Sequence, residues 1–443
     1  MQHDQVKSYL QNVRTCIGEE TFEATLHYAE DANLRFTDNY IHQNAYGDQC
    51  LLTVRVQKQG RLGEAFTRQL TEEAIHQAVE KARRIAAQPH APDIGYPFTG
   101  EDEIYHPSHP VRLTLGIDPR DLGKHVEKAI LTAGQEKLTA SGIIASSKNI
   151  MGYISSNAGP ISGDFQSAWM NVLLADDEKQ CSGWTSMAAC DPQDIDSDRL
   201  ISDALAKVKL PKSEKKIPPG LYRVILDHHA AAEVLALLSD CCFAGSSFHG
   251  DGLISEKNKG KQVFHPSLSM WEDAGDPAGC PVAFDFEGVP KQKVSLIERG
   301  RIAGAVYDRA AAIKADLRST GHAISREKPF IVGPSAQNLF VDPGTQNLDE
   351  MVELVHSGLL ISRFQYTTLI DHEKLVIAAT TRDGTLLIEN GEVTAVLPNL
   401  SFRLSVIDLL QGEVGFDDDR RLMKMGSGFI ATPRMFVENF KII

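Results

Sequence analysis

The chain has 443 residues, 42% hydrophobic and 23% charged, an ordinary globular composition with room for two large domains or three small ones. Its formal net charge of −14 argues against a nucleic-acid partner, because an acidic surface repels phosphate backbones. No uncharged apolar run reaches the roughly 20 residues of a membrane span, the amino terminus lacks a signal-peptide core, and the seven cysteines are scattered without CxxC spacing, so a cytoplasmic protein with free thiols, no membrane and no nucleic acid is expected.

In chain order, residues 1–16 read as a helix. Strand-like runs follow at Thr21–Glu30, Leu34–Tyr46 and Gln49–Thr67, the last with a hairpin tip at Gly60–Arg61. Leu70–Pro89 is the clearest helix: Thr71 can cap it, Glu72 and Glu73 suit its positive end, and Ala74, Ile75, Ala78, Val79, Ala82, Ile85 and Ala86 form one stripe. After a Pro/His-rich connector, a second amphipathic helix starts near Pro119. Gly142–Asn157, Phe165–Asp177 and Gln180–Asp191 read as strands, and Asp198–Val208 as a short helix.

The charged, prolyl segment Lys209–Gly220 is the best boundary, giving domains at 1–215 and 216–443. The second half carries hairpin signals at Arg299–Gly300, Asp383–Gly384 and Asn390–Gly391, and helices at Asp227–Cys242, Arg309–Leu317, Leu348–His356 and Ser405–Leu410. Short-range hairpins without βαβ rhythm predict an α+β fold, two domains built on antiparallel sheets with flanking helices.

Two long stretches carry a resemblance. Thr37–Ala86 has a glycine-flanked strand pair followed by an Ala-rich helix. Pro281–Ala323 has "DFEGV" before a hairpin and "STGHA" closing the next helix. Together they resemble the TldD/PmbA family, and its PmbA (TldE) branch in particular. The resemblance implies a two-domain α+β protein. It also implies a metallopeptidase-related setting: TldD-branch members carry an HExxxH helix plus a later cysteine as metal ligands. PmbA-branch members lack these ligands and work with a TldD-type protease subunit as a heterodimer on unfolded peptides, including peptide precursors and an antitoxin. The label "modulator of DNA gyrase" arose through those substrates.

The TldD motif falls on "ILDHHAAAEVLALL" (Ile225–Leu238). His228 matches the first histidine, His229 replaces the water-polarising glutamate, and Glu233 replaces the second histidine; the stretch Lys424–Met435 offers no cysteine. A helical wheel puts His228, Ala231, Leu235, Leu238 and Cys242 on the buried side. His229, Glu233 and Asp240 fall opposite, with His229 and Glu233 pairing on the surface. A zinc site needs three protein ligands and an open position. His229 and Glu233 could supply two, with His249, Asp251, His265 or a cysteine as the third, and no spacing selects among them. The expectation is therefore no metal cofactor in this chain, zinc being confined to a TldD-type partner; a self-sufficient HHxxxE zinc peptidase is the alternative.

Catalytic residues are not identifiable from the sequence. "RSTGHA" (Arg318–Ala323) reads as a helix C-cap with Gly321 left-handed. Ser319, Thr320, His322 and the loop residue His249 are candidates for lining a peptide groove. The partner expected is a TldD-type subunit, or a second copy when the chain is alone, with an unfolded peptide as substrate.

Overall fold

The computed structural model describes residues 1–91, 98–105, 119–178, 180–325, 333–426 and 428–443. About half of the Pro/His-rich connector, residues 92–97 and 106–110, lies outside them. The first half comprises α1 (His3–Ile17), β1 (Thr21–Thr37), β2 (Tyr40–Lys58), β3 (Arg61–Thr67), α2 (Glu72–Ala86), α3 (Pro119–Gln135), β4 (Thr139–Ser155), β5 (Ala158–Asp176), β6 (Cys181–Ala189) and α4 (Ser197–Val208). Its six strands form one sheet, ordered β3-β2-β1-β4-β5-β6, with every neighbouring pair antiparallel.

The hairpin tips differ from expectation. β1 runs unbroken through Glu30–Asn33 and turns at Asp38–Asn39; the next turn is Gln59–Gly60 rather than Gly60–Arg61. All four turn residues have positive φ, the combination that matches strand twist in a two-residue hairpin. The polar run survives inside the strand because it falls in the gap between two groups of covering helices, where the Tyr28 hydroxyl donates to Glu30.

Strand alternation decides what each face does. On β1 the even positions on either side of Tyr28 and Glu30 are apolar and covered. Phe22, Ala24 and Leu26 pack under α1 and α2, and Ala32, Leu34 and Phe36 under α3. The odd positions Glu23, Thr25, His27 and Ala29 therefore face the second half of the chain. Two glycines let helices sit close on the outer strands. A Cβ on Gly63 would lie 1.9 Å from the Ala82 carbonyl oxygen of α2, and one on Gly183 2.1 Å from that of Ala204 in α4.

The second half comprises β7 (Gly220–Leu226), α5 (His228–Cys242), α6 (Gly245–Phe248), β8 (Met270–Glu272), β9 (Val294–Glu298), β10 (Arg301–Ile302), α7 (Arg309–Lys314), β11 (Asn338–Val341), α8 (Leu348–Val355) and β12 (Ser357–Asp371). It continues with β13 (Val376–Glu389), β14 (Glu392–Leu397), β15 (Ser401–Ser405), α9 (Val406–Gln411), β16 (Val414–Phe416), β17 (Arg421–Met425), β18 (Gly428–Thr432) and β19 (Met435–Ile442). One sheet runs β10-β9-β8-β11-β18-β17.

In the other sheet, β12-β7-β19-β15-β13 closes on itself through a β12–β13 ladder, forming a small barrel. Phe364, Phe402 and Phe440 pack together in this sheet, with centroids 4.6–6.2 Å apart. The fold is α+β on antiparallel sheets, with two parallel ladders, β7·β12 and β11·β18. Asn390–Gly391 turns as predicted, but Asp383–Gly384 lies within β13. There its left-handed φ values kink one strand between its partners β15 and β14, and the Asp383 carboxylate is held by Arg363 and Ser182.

α5 departs from the amphipathic expectation. Ala230, Ala231, Ala232, Val234, Leu235 and Leu238 are all buried. The helix packs against both sheets of the second half, contacting β7 and β12 on one side and β17 and β18 on the other. It therefore has little wet side, and its polar residues are answered from inside the protein.

Candidate functional site

At the amino end of α5, Asp227 caps the helix, accepting from the His228 backbone N–H at 2.9 Å. The His228 ring is 3% exposed. Its Nδ1 faces the Asp227 carboxylate at 3.0 Å and its Nε2 the Asp419 carbonyl oxygen at 2.8 Å. Both nitrogens are turned toward oxygens of the protein, so neither faces an open coordination position.

Around them lies a chain of ion pairs. Lys207 and Arg434 donate to Asp227, Arg434 also to Asp417, and Arg199, Arg421 and Arg434 to Asp419. Burial opposes charge on Asp227, yet Lys207 and Arg434 hold it well below the usual carboxylate range. Lys207 and Arg199 come from α4, so the network fastens the first half to the second.

His229 and Glu233 do not pair on the surface. His229 meets Trp184 edge-on, 4.7 Å between centroids, and its Nδ1 is buried without a hydrogen-bond partner among the described residues. Burial, then Arg363, pulls the ring down to about 4. Glu233 accepts from Thr367 on β12, and burial raises its carboxyl. Among the described residues no group of three or more His, Cys, Asp or Glu is placed to hold a metal ion. The motif positions of this chain, as arranged, do not fit a zinc ion.

A second feature lies between the halves. The odd face of the first sheet and loops of the second half enclose a cleft containing two adjoining cavities of about 520 and 320 Å³. Both are lined by His27, Leu51, Phe286, Ala323, Ile324 and Ser325. Thr25, Arg55, Glu64, His249 and Glu287 line the larger one; Asn149, Phe165, Phe284, Lys291 and Phe429 line the smaller. His27 bonds the Asn149 side chain at 2.9 Å and stacks on Phe165.

β3 pairs with β2 only from Leu52 onward, and Gln49, Cys50 and Leu51 of the unpaired part line the smaller cavity. The β2 edge over Tyr40–Leu51, opposite β1, has no strand neighbour among the described residues.

The "DFEG" and "STGHA" stretches meet here. Asp285 accepts from the backbone N–H groups of Glu287, Val289 and Ala323, Gly288 is left-handed with φ 75°, and the Thr25 hydroxyl donates to the Phe286 carbonyl. Glu287 sits beside Glu23 from β1; burial, then Asp285 and Glu23, push its carboxyl up to about 8.

Of the predicted groove residues, His249 lines the larger cavity and faces the Tyr307 hydroxyl at 3.1 Å. Ser319, Thr320 and His322 lie behind the wall, which corrects their assignment. Ser319 and Thr320 donate to the Tyr307 carbonyl. His322 has no solvent exposure, bonds Thr320 through Nδ1 at 2.9 Å, and stands 3.4 Å from Glu272. They are consumed in bracing the turn that carries Ala323 to the cleft. The sequence reading missed His27, Arg55, Glu287 and Lys291; His27 and Arg55 were signalled as polar residues at alternate positions of otherwise apolar strands, whereas Glu287 and Lys291 lie in the loop between β8 and β9 and carried no such pattern.

Family models match two stretches: residues 219–443 as "PmbA/TldA metallopeptidase C-terminal domain" and 22–86 as "PmbA/TldA metallopeptidase domain 1". Metalloprotease MJ0996 of Methanocaldococcus jannaschii is 26% identical over 200 residues, 44% of this chain and 43% of that one. A Buchnera aphidicola metalloprotease TldD homolog is 25% identical over 173 residues, 36% of this chain and 35% of that one. These matches thus span less than half the length of either relative. The crystal structure of TldE from Thermococcus kodakarensis superposes with a TM-score of 0.87 at 19% identity, covering 98% of this chain and 99% of that one. No helix among the described residues is long and apolar enough to cross a membrane. With one family model spanning the whole second half and another β1, β2, β3 and α2 of the first, the chain belongs to the PmbA/TldD family of metallopeptidase-related proteins.

Proposed function

We propose that this chain is the PmbA/TldE-like subunit of a TldD/TldE-type cytoplasmic peptidase. It holds unfolded peptides in the cleft, and a TldD-type subunit supplies the zinc and the cut. The observation that carries the reading is the state of the motif helix: both His228 nitrogens face acceptors, and Glu233 is bound by Thr367. The free edge of β2 supports the peptide-holding role, since an extended chain can add to it through backbone hydrogen bonds without a fixed side-chain sequence.

The test is co-expression with a TldD-type protein. A stable heterodimer that cleaves unfolded peptides, with neither chain active alone, is the expected result; two non-associating species overturn the reading. One feature favours the alternative of a self-sufficient zinc site, the unpartnered Nδ1 of His229. Elemental analysis of the purified chain decides it: stoichiometric zinc that is lost in Glu233→Ala establishes that alternative.

A further inference from the structure

The smaller cavity holds a buried cation that lacks a hydrogen-bond acceptor among the described residues. Lys291 lines it, its side chain is 2% exposed, and its Nζ has no hydrogen-bond partner among the described residues. Two carboxylates are close, and neither fills the gap. Glu272 stands 3.9 Å away, near enough to balance charge and too far for a hydrogen bond; its other oxygen takes the Asn338 backbone N–H at 2.7 Å. The oxygens of Asp285 are occupied by the three backbone N–H groups named above. A buried ammonium without an acceptor costs free energy unless a ligand oxygen completes it.

The remaining wall is aromatic. Phe165, Phe284, Phe286 and Phe429 surround the space with Met151. Such a lining takes a large apolar group, with a few polar groups fixing its orientation. The charged residues of the lining are Arg68, Lys291, Lys424, Asp31 and Asp285, with Glu272 beside Lys291. The unfilled Lys291 ammonium, rather than any net charge, favours an anionic oxygen, which makes the stronger charge-assisted hydrogen bond.

We propose that this cavity is a subsite for the last residue of a bound peptide, seating a large apolar or aromatic side chain among the phenylalanines and the terminal carboxylate on Lys291. The proposal rests on the peptide-holding reading and adds to it a substrate class, peptides with a free carboxyl end and a bulky apolar final residue.

The test uses the full chain and four short, amino-terminally labelled peptides of otherwise identical sequence. They end in Phe or Ala, each as free acid or amide, and binding is read by fluorescence anisotropy. A charge-assisted hydrogen bond is worth about tenfold or more in Kd. The Phe acid should bind about tenfold tighter than the Phe amide, and tighter than the Ala acid by a similar factor.

Lys291→Met should erase the acid–amide difference and keep the Phe–Ala difference. Phe165→Ala, at a partly exposed position, should do the reverse and remain folded if Lys291→Met does not. Equal affinity for all four peptides, or for acid and amide alike, overturns the subsite. Binding of none overturns the peptide-holding reading, and the subsite with it.

Discussion

Replacing His229 by Phe isolates one titrating group in the core. In the folded chain the ring lies against Trp184 and stays neutral down to about pH 4, because burial and the Arg363 guanidinium disfavour the imidazolium. In the unfolded chain it titrates near pH 6.5. The folded pKa is depressed, so the unfolded state binds the extra proton. The associated stability is fully present above about pH 6.5 and is lost as pH falls toward 4. Between pH 8 and pH 5 this amounts to about 2 kcal/mol, and below pH 4 it approaches about 3 kcal/mol.

Phenylalanine keeps the edge-on ring contact and removes the proton. Urea unfolding of both proteins at pH 8 and pH 5, followed by circular dichroism, gives the comparison. The fall in stability between the two pH values should be smaller in His229→Phe by about 2 kcal/mol. A ring resonance titration by NMR, assigned by its loss in the variant, should show a midpoint near 4. An identical pH response in both proteins, or a midpoint above 6, would refute the argument that the first turn of α5 is dry.

Four further outcomes follow from the same geometry. Glu287 has the opposite sign: its folded pKa is raised to about 8, so stability is complete below about pH 4.5 and falls as pH rises through 8. Glu287→Gln should flatten that alkaline loss in thermal melts at pH 6 and 9. Asp227→Ala leaves Lys207 and Arg434 without a shared carboxylate and should cost about 3–5 kcal/mol in chemical denaturation, the penalty for breaking a buried ion pair. Gly183→Ala should lower the melting temperature, since its Cβ would strike the Ala204 carbonyl at 2.1 Å; overpacking of this kind costs about 1–3 kcal/mol. Gly123→Ala, in α3 with nothing within 4 Å, should instead stabilise by about 0.5–1 kcal/mol.

Much of the local structure could be read directly. The stripe from Ala74 to Ala86 marks a helix that buries Ile75, Ala78, Val79, Ala82 and Ala86 and leaves Ala74 and Ile85 half-buried, and Thr71 caps it. The hairpin at Asn390–Gly391 and the α+β class follow from local chemistry in the same way. Misreadings occurred where the environment overrode a local signal. Asp383–Gly384 has the composition of a hairpin tip, yet β12, β14 and β15 hold its flanks in one continuous strand. Glu30–Asn33 resembles a break, yet β2 and β4 pair along both of its edges. His229 and Glu233 have surface spacing, yet α5 is packed against both sheets of the second half.

The sequence alone determined which residues alternate, which helices form and how they are capped, because those preferences act over a few residues. It also carried the DFEG and STGHA stretches, but gave no sign that Asp285 would bind the Ala323 backbone across 38 positions. The tertiary structure alone decided that the odd face of β1 is a cleft wall, that Lys291 lacks an acceptor among the described residues, and that His228 is held between Asp227 and Asp419. Each of these depends on contacts between segments distant in sequence, and alternation names two faces of a strand without saying what either will meet.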